Sequence, residues 1–261
     1  MSTRPQNPSL ERFYPDRVAG AHVIAFEAVE STMDIASEIA RAGGAHGTVV
    51  RAGVQRKGRG RFARRWDSAP DDSLLTSTIL RMPPLDIGAP ISIAGAVAVH
   101  DTVRELLGIS CGLKWPNDVH VNGMKIAGVL TESQVMTDGT GFAVLGVGLN
   151  VNLSPESFAG IAETATSLAR VSGELLDLDR VEETMFRRLD EVLSAMSDDA
   201  AKLIQRWKTL LTTIGKRVEL STRNGALIGV AENVDSQGAL LLRTADGTVH
   251  RMFEGDVTLQ G

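Results

Sequence analysis

Asn122-Gly123 stands between two runs rich in β-branched residues, and this dipeptide narrows the fold more than any other feature of the chain. Both residues accept the positive φ that a two-residue hairpin turn requires, so they join antiparallel strands in a set register. The flanking strands are Asp118–Val121 and a run around Lys125–Glu132. FAVLGVGLNVN, from Phe142 to Asn152, reads as a buried strand that ends in glycines and asparagines. Earlier strands are HVIAFEAV (His22 to Val29) and GTVVRAGVQ, beginning at Gly47. SLLTSTILRM, Ser73 to Met82, is a further buried strand with polar residues interspersed, and Pro83-Pro84 break it.

Helices fall between and after these strands. In ESTMDIASEIARAGG, Ser31 or Thr32 can cap, and Asp34 follows Ser31 by three as in a capping box. Ile35, Ile39 and Ala42 share one face, and Gly43-Gly44 stop the helix. Ile91 to Leu107 is almost continuously apolar, hence a buried helix. Leu178, Val181, Met185, Leu189, Val192 and Met196 mark an amphipathic helix, and AAKLIQRWKTLLTTIG gives another. From about Lys216 the pattern changes to short strands (KRVELS, ALIGVAENV, ALLLRTADG, VHRMFEG) with turns at Asn224-Gly225, Gln237-Gly238 and Asp246-Gly247. The chain therefore reads as α+β: a mixed β-sheet with flanking helices plus a small C-terminal β-barrel. Residues 1–21 are expected as a flexible or loosely docked arm, 22–213 as the main domain and 214–261 as the barrel.

With 261 residues, 43% of them hydrophobic, the chain can bury a proper core. Its net charge of -5 argues against a general nucleic-acid coat, which needs a basic surface. No apolar run approaches the ~20 residues of a membrane span. Cys111 is the one cysteine, which excludes an internal disulfide and fits the cytoplasm. Against that acidity, QRKGRGRFARRW (Gln55 to Trp66) holds six Lys or Arg and no acid. Gly58 and Gly60 let the backbone turn its N–H groups to an anion, and arginine forks suit carboxylate or phosphate. Such a loop is expected to be mobile until an anionic ligand neutralises it. A solvated basic loop or an RNA-binding segment accounts for the loop equally well.

Other stretches carry the same ambiguity. KWPND sets Lys114, Asn117 and Asp118 on one turn, fit for phosphate, amide reading and a hard cation, or simply a β-turn. Lys125 opens the apolar strand KIAG, either into a cleft or snorkelling at an edge. Gly146 and Gly148 weaken a buried strand unless something approaches its backbone, or else mark bulges. The hydroxyls of Ser31 and Thr32 cap a helix or bind a ligand there.

Taken in order, EST, Q-x-x-GRGR…W, KWPND, KIAG and GVGLN resemble biotin protein ligase, from roughly Val23 to Asn152 and more weakly through the barrel. The resemblance implies a class II synthetase-like biotin/lipoate ligase domain and an SH3-like C-terminal domain. Bifunctional members begin with a DNA-binding domain. The motifs start here near Glu30, so a monofunctional ligase with no DNA partner is expected. The implied reaction joins biotin to ATP as biotinyl-5′-AMP and passes biotin to a lysine of a biotin carboxyl carrier protein, with Mg²⁺. The protein would be a monomer or homodimer.

By the same resemblance Arg61, Lys125 and Lys114 are the catalytic cations. Biotin would meet Ser31, Thr32, Gln55, Arg59, Gly60, Arg61, Lys125, Gly128, Gly146 and Gly148. ATP would meet Arg59, Arg61, Trp66, Lys114, Asn117 and Asn150, with Asp118 near Mg²⁺. Three departures stand out: Met33 where asparagine is common, Phe62-Ala63 in place of Arg-Gly, and Arg56-Lys57 in place of an uncharged pair. A lipoate or octanoate transferase of the same superfamily and a nucleic-acid-binding module are the rival readings.

Overall fold

The computed structural model describes residues 8–81, 89–137, 139–158, 160–222 and 225–259. The expected break at Met82–Pro84 and the Asn224 half of one turn lie outside them. The first sheet has the order β1-β2-β3-β4-β8-β7-β6-β5. Its strands are β1 Leu10–Phe13, β2 His22–Val29, β3 Thr48–Gln55, β4 Ser73–Arg81, β5 Gly112–Lys114, β6 Asp118–Val121, β7 Met124–Val135 and β8 Gly141–Asn150. Only β2 and β3 pair in parallel, because helix α1 (Thr32–Arg41) carries the chain back between them. The hairpin is as the dipeptide requires: Asn122 and Gly123 have φ of 51° and 81°, and β6 pairs antiparallel with β7.

Of the expected N-terminal arm, residues 8–21 are described, and they are docked on the sheet. Leu10–Phe13 is an edge strand, with Leu10 opposite Ala25 and Phe13 opposite His22. Its side chains are mostly exposed, so no apolar alternation marked it; main-chain pairing holds it. Just beyond, Ala19 is buried, and the Val18 and Ala19 N–H groups donate to the Asp190 carboxylate.

Helix α1 covers one face of the sheet, where Met33, Ala36 and Ala40 pack with Phe26, Val50, Ile79, Phe142 and Val144. Its buried stripe lies one residue from the expected one: Ile35 and Ile39 are half-buried and Ala42 is exposed. Small side chains at 36 and 40 bring the helix close to the sheet. Gly43 (φ 93°) and Gly44, whose N–H reaches the Ile39 carbonyl at 2.8 Å, end it as a Schellman turn. The other face carries α2 (Ala89–Leu107), α4 (Leu178–Asp198) and α5 (Ala200–Leu210), with a short α3 (Leu168–Ser172) beside them. All the expected core positions of α4 are buried except Leu178, which is half-buried.

A second, antiparallel sheet has the order β12-β11-β10-β9-β13, built from β9 Arg217–Thr222, β10 Gly225–Val234, β11 Leu240–Thr244, β12 Val249–Met252 and β13 Asp256–Leu259. This is the small SH3-like unit, with β13 a strand that the sequence pattern had not separated. Its core residues Val218, Leu220, Ala231, Leu240 and Leu242 belong to one apolar cluster with α2 and α4. Two hydrogen bonds add to that contact: Thr213 Oγ1 accepts from the Trp115 N–H at 3.0 Å, and Gly238 O accepts from Trp115 Nε1 at 3.0 Å.

Candidate active site

One cleft of about 890 Å³, its open mouth included, gathers the motifs. At one part of it the first turn of α1 meets the end of β3 and the middle of β4. Gln55 Oε1 accepts from the Thr32 N–H at 2.8 Å and from the Thr32 hydroxyl at 3.0 Å. Thr32 Oγ1 lies 2.8 Å from Ser77 Oγ. The Ser31 side chain makes no cap, so the capping account of this stretch is overturned: a glutamine from the neighbouring strand satisfies the helix N-terminus. Asp34 forms no capping box either and pairs with Arg59 at 2.7 Å.

The floor is glycine. Gly128 of β7 and Gly148 of β8 are direct register partners, which leaves a bare patch two strands wide. The indole of Trp66 lies on it: a Cβ on Gly148 would stand 2.5 Å from that ring, and one on Gly128 3.0 Å. At Gly146 the cover is Met33, whose sulfur would stand 2.9 Å from an added Cβ. The flat group that justifies these glycines is thus supplied by the chain itself. Trp66 Nε1 is buried and has no hydrogen-bond partner among the described residues.

Cations converge above the floor. Lys125 Nζ sits 5.6 Å from the Trp66 ring centroid and 2.7 Å from Asp118 Oδ1. Lys114 stands opposite Asp118 in the backbone register of β5 and β6 and also lines the cleft. Arg61 lies over the same space; burial pushes its pKa below the usual guanidinium value, outweighing the opposite pull of its acidic neighbours Glu254, Asp118 and Asp256. The loop that carries it is a tight structure. Gly58 O accepts from the Trp66 N–H at 2.9 Å, Gly60 N–H donates to Arg64 O at 2.8 Å, and Arg61–Ala63 form a 3₁₀ turn. Phe62 holds φ 54°, the left-handed region that favours glycine, in the segment where the sequence departs from the common pattern. Gly58 has no room for a side chain, since an added Cβ would lie 2.5 Å from the Trp66 carbonyl.

Every sequence-derived site residue lines this cleft except Asn150. Asn150 is buried, and its amide donates to the Thr166 carbonyl at 2.9 Å, so it holds the chain leaving β8. Asn117 lines the cleft, while its amide donates to the Val129 carbonyl. The fork of Arg59 is turned to Glu132 and Asp34. Residues not foreseen are Ser77, Thr76, Gly255 and Asp256. The polar pair inside apolar SLLTSTILR was a readable signal. Nothing local marked Gly255-Asp256, which arrive from the second sheet.

Asp118, the residue expected near Mg²⁺, lines the cleft. Its Oδ1 is taken by Lys125, and no group of three or more His, Cys, Asp or Glu among the described residues could hold a metal. The acids lining the cleft are Asp118 and Asp256, the latter paired with Arg64.

Cations over a glycine floor, next to a polar cradle, suit an enzyme that brings anionic reactants together and stabilises the charge formed between them. The family comparisons make the class specific. Residues 25–150 match the biotin/lipoate A/B protein ligase family, and residues 213–259 match the biotin protein ligase C terminal domain. The biotin–[acetyl-CoA-carboxylase] ligase of Mycobacterium tuberculosis is 31% identical over 93% of this chain and 92% of its own length. The bifunctional ligase/repressor BirA of Bacillus subtilis is 33% identical over 93% of this chain and 75% of its own. Among solved structures, the biotin protein ligase of Aquifex aeolicus in complex with biotin and ATP superposes with a TM-score of 0.77 at 26% identity, covering 91% of this chain and 98% of that one. The chain belongs to the biotin protein ligase family.

Proposed function

We propose that the chain activates biotin with ATP and transfers it to a lysine of a biotin carboxyl carrier protein, using the cleft residues in named roles. The observation that carries this reading is the convergence of Arg61, Lys114 and Lys125 on a glycine floor beside the Thr32–Gln55–Ser77 cradle. A carboxylate oxygen attacks the α-phosphorus, and the bond to pyrophosphate breaks. Negative charge gathers on the phosphate as it does so. Arg61 and Lys125 neutralise that charge and the approaching carboxylate, while Lys114 meets the leaving phosphates. Held in place, such donors contribute several kcal/mol, and aligning the two reactants contributes up to ~7–11 kcal/mol. In the second step a carrier amine attacks the acyl carbon, AMP departs with the bonding electrons, and the amine proton is lost.

The polar cradle of Ser31, Thr32 and Gln55 suits the ureido ring of biotin. A lipoyl or octanoyl chain offers those groups nothing to bond, which disfavours that alternative. The nucleic-acid alternative also loses support. Arg56, Lys57, Arg59, Arg64 and Arg65 each face an acid of the protein, so they do not form an open phosphate-binding surface. Mg²⁺ enters as the counter-ion of the triphosphate, as part of the substrate, with Asp118 the cleft carboxylate placed to meet it. The first sheet with its helices is the catalytic domain, and the SH3-like unit supplies one wall through Gly255 and Asp256. The single buried cysteine and the need for ATP suit the cytoplasm; no helix among the described residues is long and apolar enough to cross a membrane.

The test is exchange of labelled pyrophosphate into ATP, which must depend on biotin. Lys125→Ala is expected to abolish it while the unfolding transition stays within a few degrees of wild type. Biotin-independent exchange, or normal exchange by Lys125→Ala, would refute the assignment.

A further inference from the structure

The six cations of the basic loop do not share one task. Arg56 and Lys57 face Glu30, at 4.0 and 2.9 Å. Arg65 faces Asp67 at 3.1 Å, and Arg64 pairs with Asp256 at the start of β13. Arg59 is held most completely. Its Nε and Nη2 donate to the two oxygens of Glu132 on β7, at 3.0 and 3.1 Å, and its Nη1 donates to Asp34 in the first turn of α1 at 2.7 Å. Glu132 is the leading cause of a raised Arg59 pKa. Arg61 differs from all of these. Among the described residues it makes no salt bridge, and its Nη1 donates to the Gly255 carbonyl at 3.4 Å.

The division of labour follows from geometry. Neither Glu132 nor Asp34 lines the cleft, whereas the loop they grip does. The backbone bonds across Gly58–Trp66 and Gly60–Arg64, with the Arg59–Arg65 bridge, make the loop a small plate. Gripping it at Arg59 therefore sets the position of Arg61 and Trp66. The grip combines a bidentate pair with a further charge-assisted bond, which carries orientation as well as attraction. All three side chains are partly exposed, at 32%, 54% and 44% for Arg59, Asp34 and Glu132. Water screens such pairs, so the grip is firm enough to bias the loop and weak enough to release it.

We propose that Glu132 and Asp34 are positioning residues which, acting through Arg59, clasp the basic loop over the cleft and set how long the enzyme retains its acyl-adenylate. This rests on the ligase reading. It also reassigns Arg59 from the substrate to the protein and leaves Arg61, the loop cation with no salt bridge among the described residues, to the reacting anions.

Three variants test it: the double variant Asp34→Asn/Glu132→Gln, Arg59→Gln, and the triple combination. Wild type must first show biotin-dependent pyrophosphate exchange; if it does not, the ligase reading itself falls and this inference with it. Given that activity, the double variant is expected to exchange within about threefold of wild type at saturating substrates. It should lose biotinyl-AMP from the isolated complex about tenfold faster, as the loss of one net charge-assisted bond implies. Arg59→Gln should match it, and the triple variant should be no worse than either, since groups acting as one unit do not add. Wild-type retention by the double variant would overturn the clasp. So would a further tenfold rise in the KM for biotin or ATP when Arg59→Gln is added to the double variant, because Arg59 would then touch substrate.

Discussion

Alanine at Gly148 would place a methyl group in space that the Trp66 ring fills. The added Cβ would lie 2.5, 2.7 and 3.0 Å from three ring atoms. Ordinary contact begins at about 3.4 Å, so the indole has to retreat by roughly 1 Å. The strand cannot yield, because Gly148 is paired on both sides, with Leu75 and Gly128. The cost therefore falls on the seating of the loop. Overpacking of this size costs about 1–3 kcal/mol, which unseats the ring by a factor of about 5–150. The assay is intrinsic fluorescence. Trp115 and Trp207 are only 2% and 1% exposed, so Trp66 is the tryptophan whose emission can respond. Gly148→Ala is expected to shift the emission to longer wavelength and to make one tryptophan more open to acrylamide, with the unfolding midpoint almost unchanged. Biotin-dependent exchange should fall alongside. Emission and quenching identical to wild type would show that the ring does not rest on this strand, and the physical reason given for the glycine would be wrong.

Asn150→Ala is expected to destabilise the fold by about 1–3 kcal/mol in urea, because the Thr166 carbonyl loses its donor in a buried place. The KM for ATP should not change; a tenfold rise with unchanged stability would return Asn150 to the nucleotide. Cys111 is buried, and desolvation pushes its thiol from 9.0 up to about 12. Native protein at pH 8 should resist a thiol reagent that labels the unfolded chain at once. The sign for stability follows: the contribution of this thiol is full below pH 9 and declines as pH rises from there towards 12, since only the unfolded chain ionises in that window. An unfolding free energy that rises with pH in that range would contradict the burial.

Much of the frame was legible because local chemistry dictated it. His22–Val29 and Asp118–Val121 are strands with the bounds the pattern implied, and Asn122-Gly123 makes the turn its two positive φ angles allow. Leu10–Phe13 was not legible, because an edge strand held by main-chain bonds needs no apolar alternation. The stripe on α1 was misplaced by one residue, because alanines at 36 and 40 decide how close the helix lies and hydrophobicity alone favours the isoleucines. In the cleft, the residues that carry charge stood out in sequence. Which of them faces the reactants did not, for Glu132 lies far along the chain from Arg59 and Asp256 farther still.

Backbone preference and residue chemistry act over a few positions, so the order of strands and helices, the cationic loop and the glycine pairs could be read from the chain as written. Electrostatic pairing and close packing act through space. Only folding could bring Gly128 beside Gly148, lay Trp66 on both, set Arg59 against Glu132 and Asp34, and place Arg61 over the cleft with no salt bridge among the described residues.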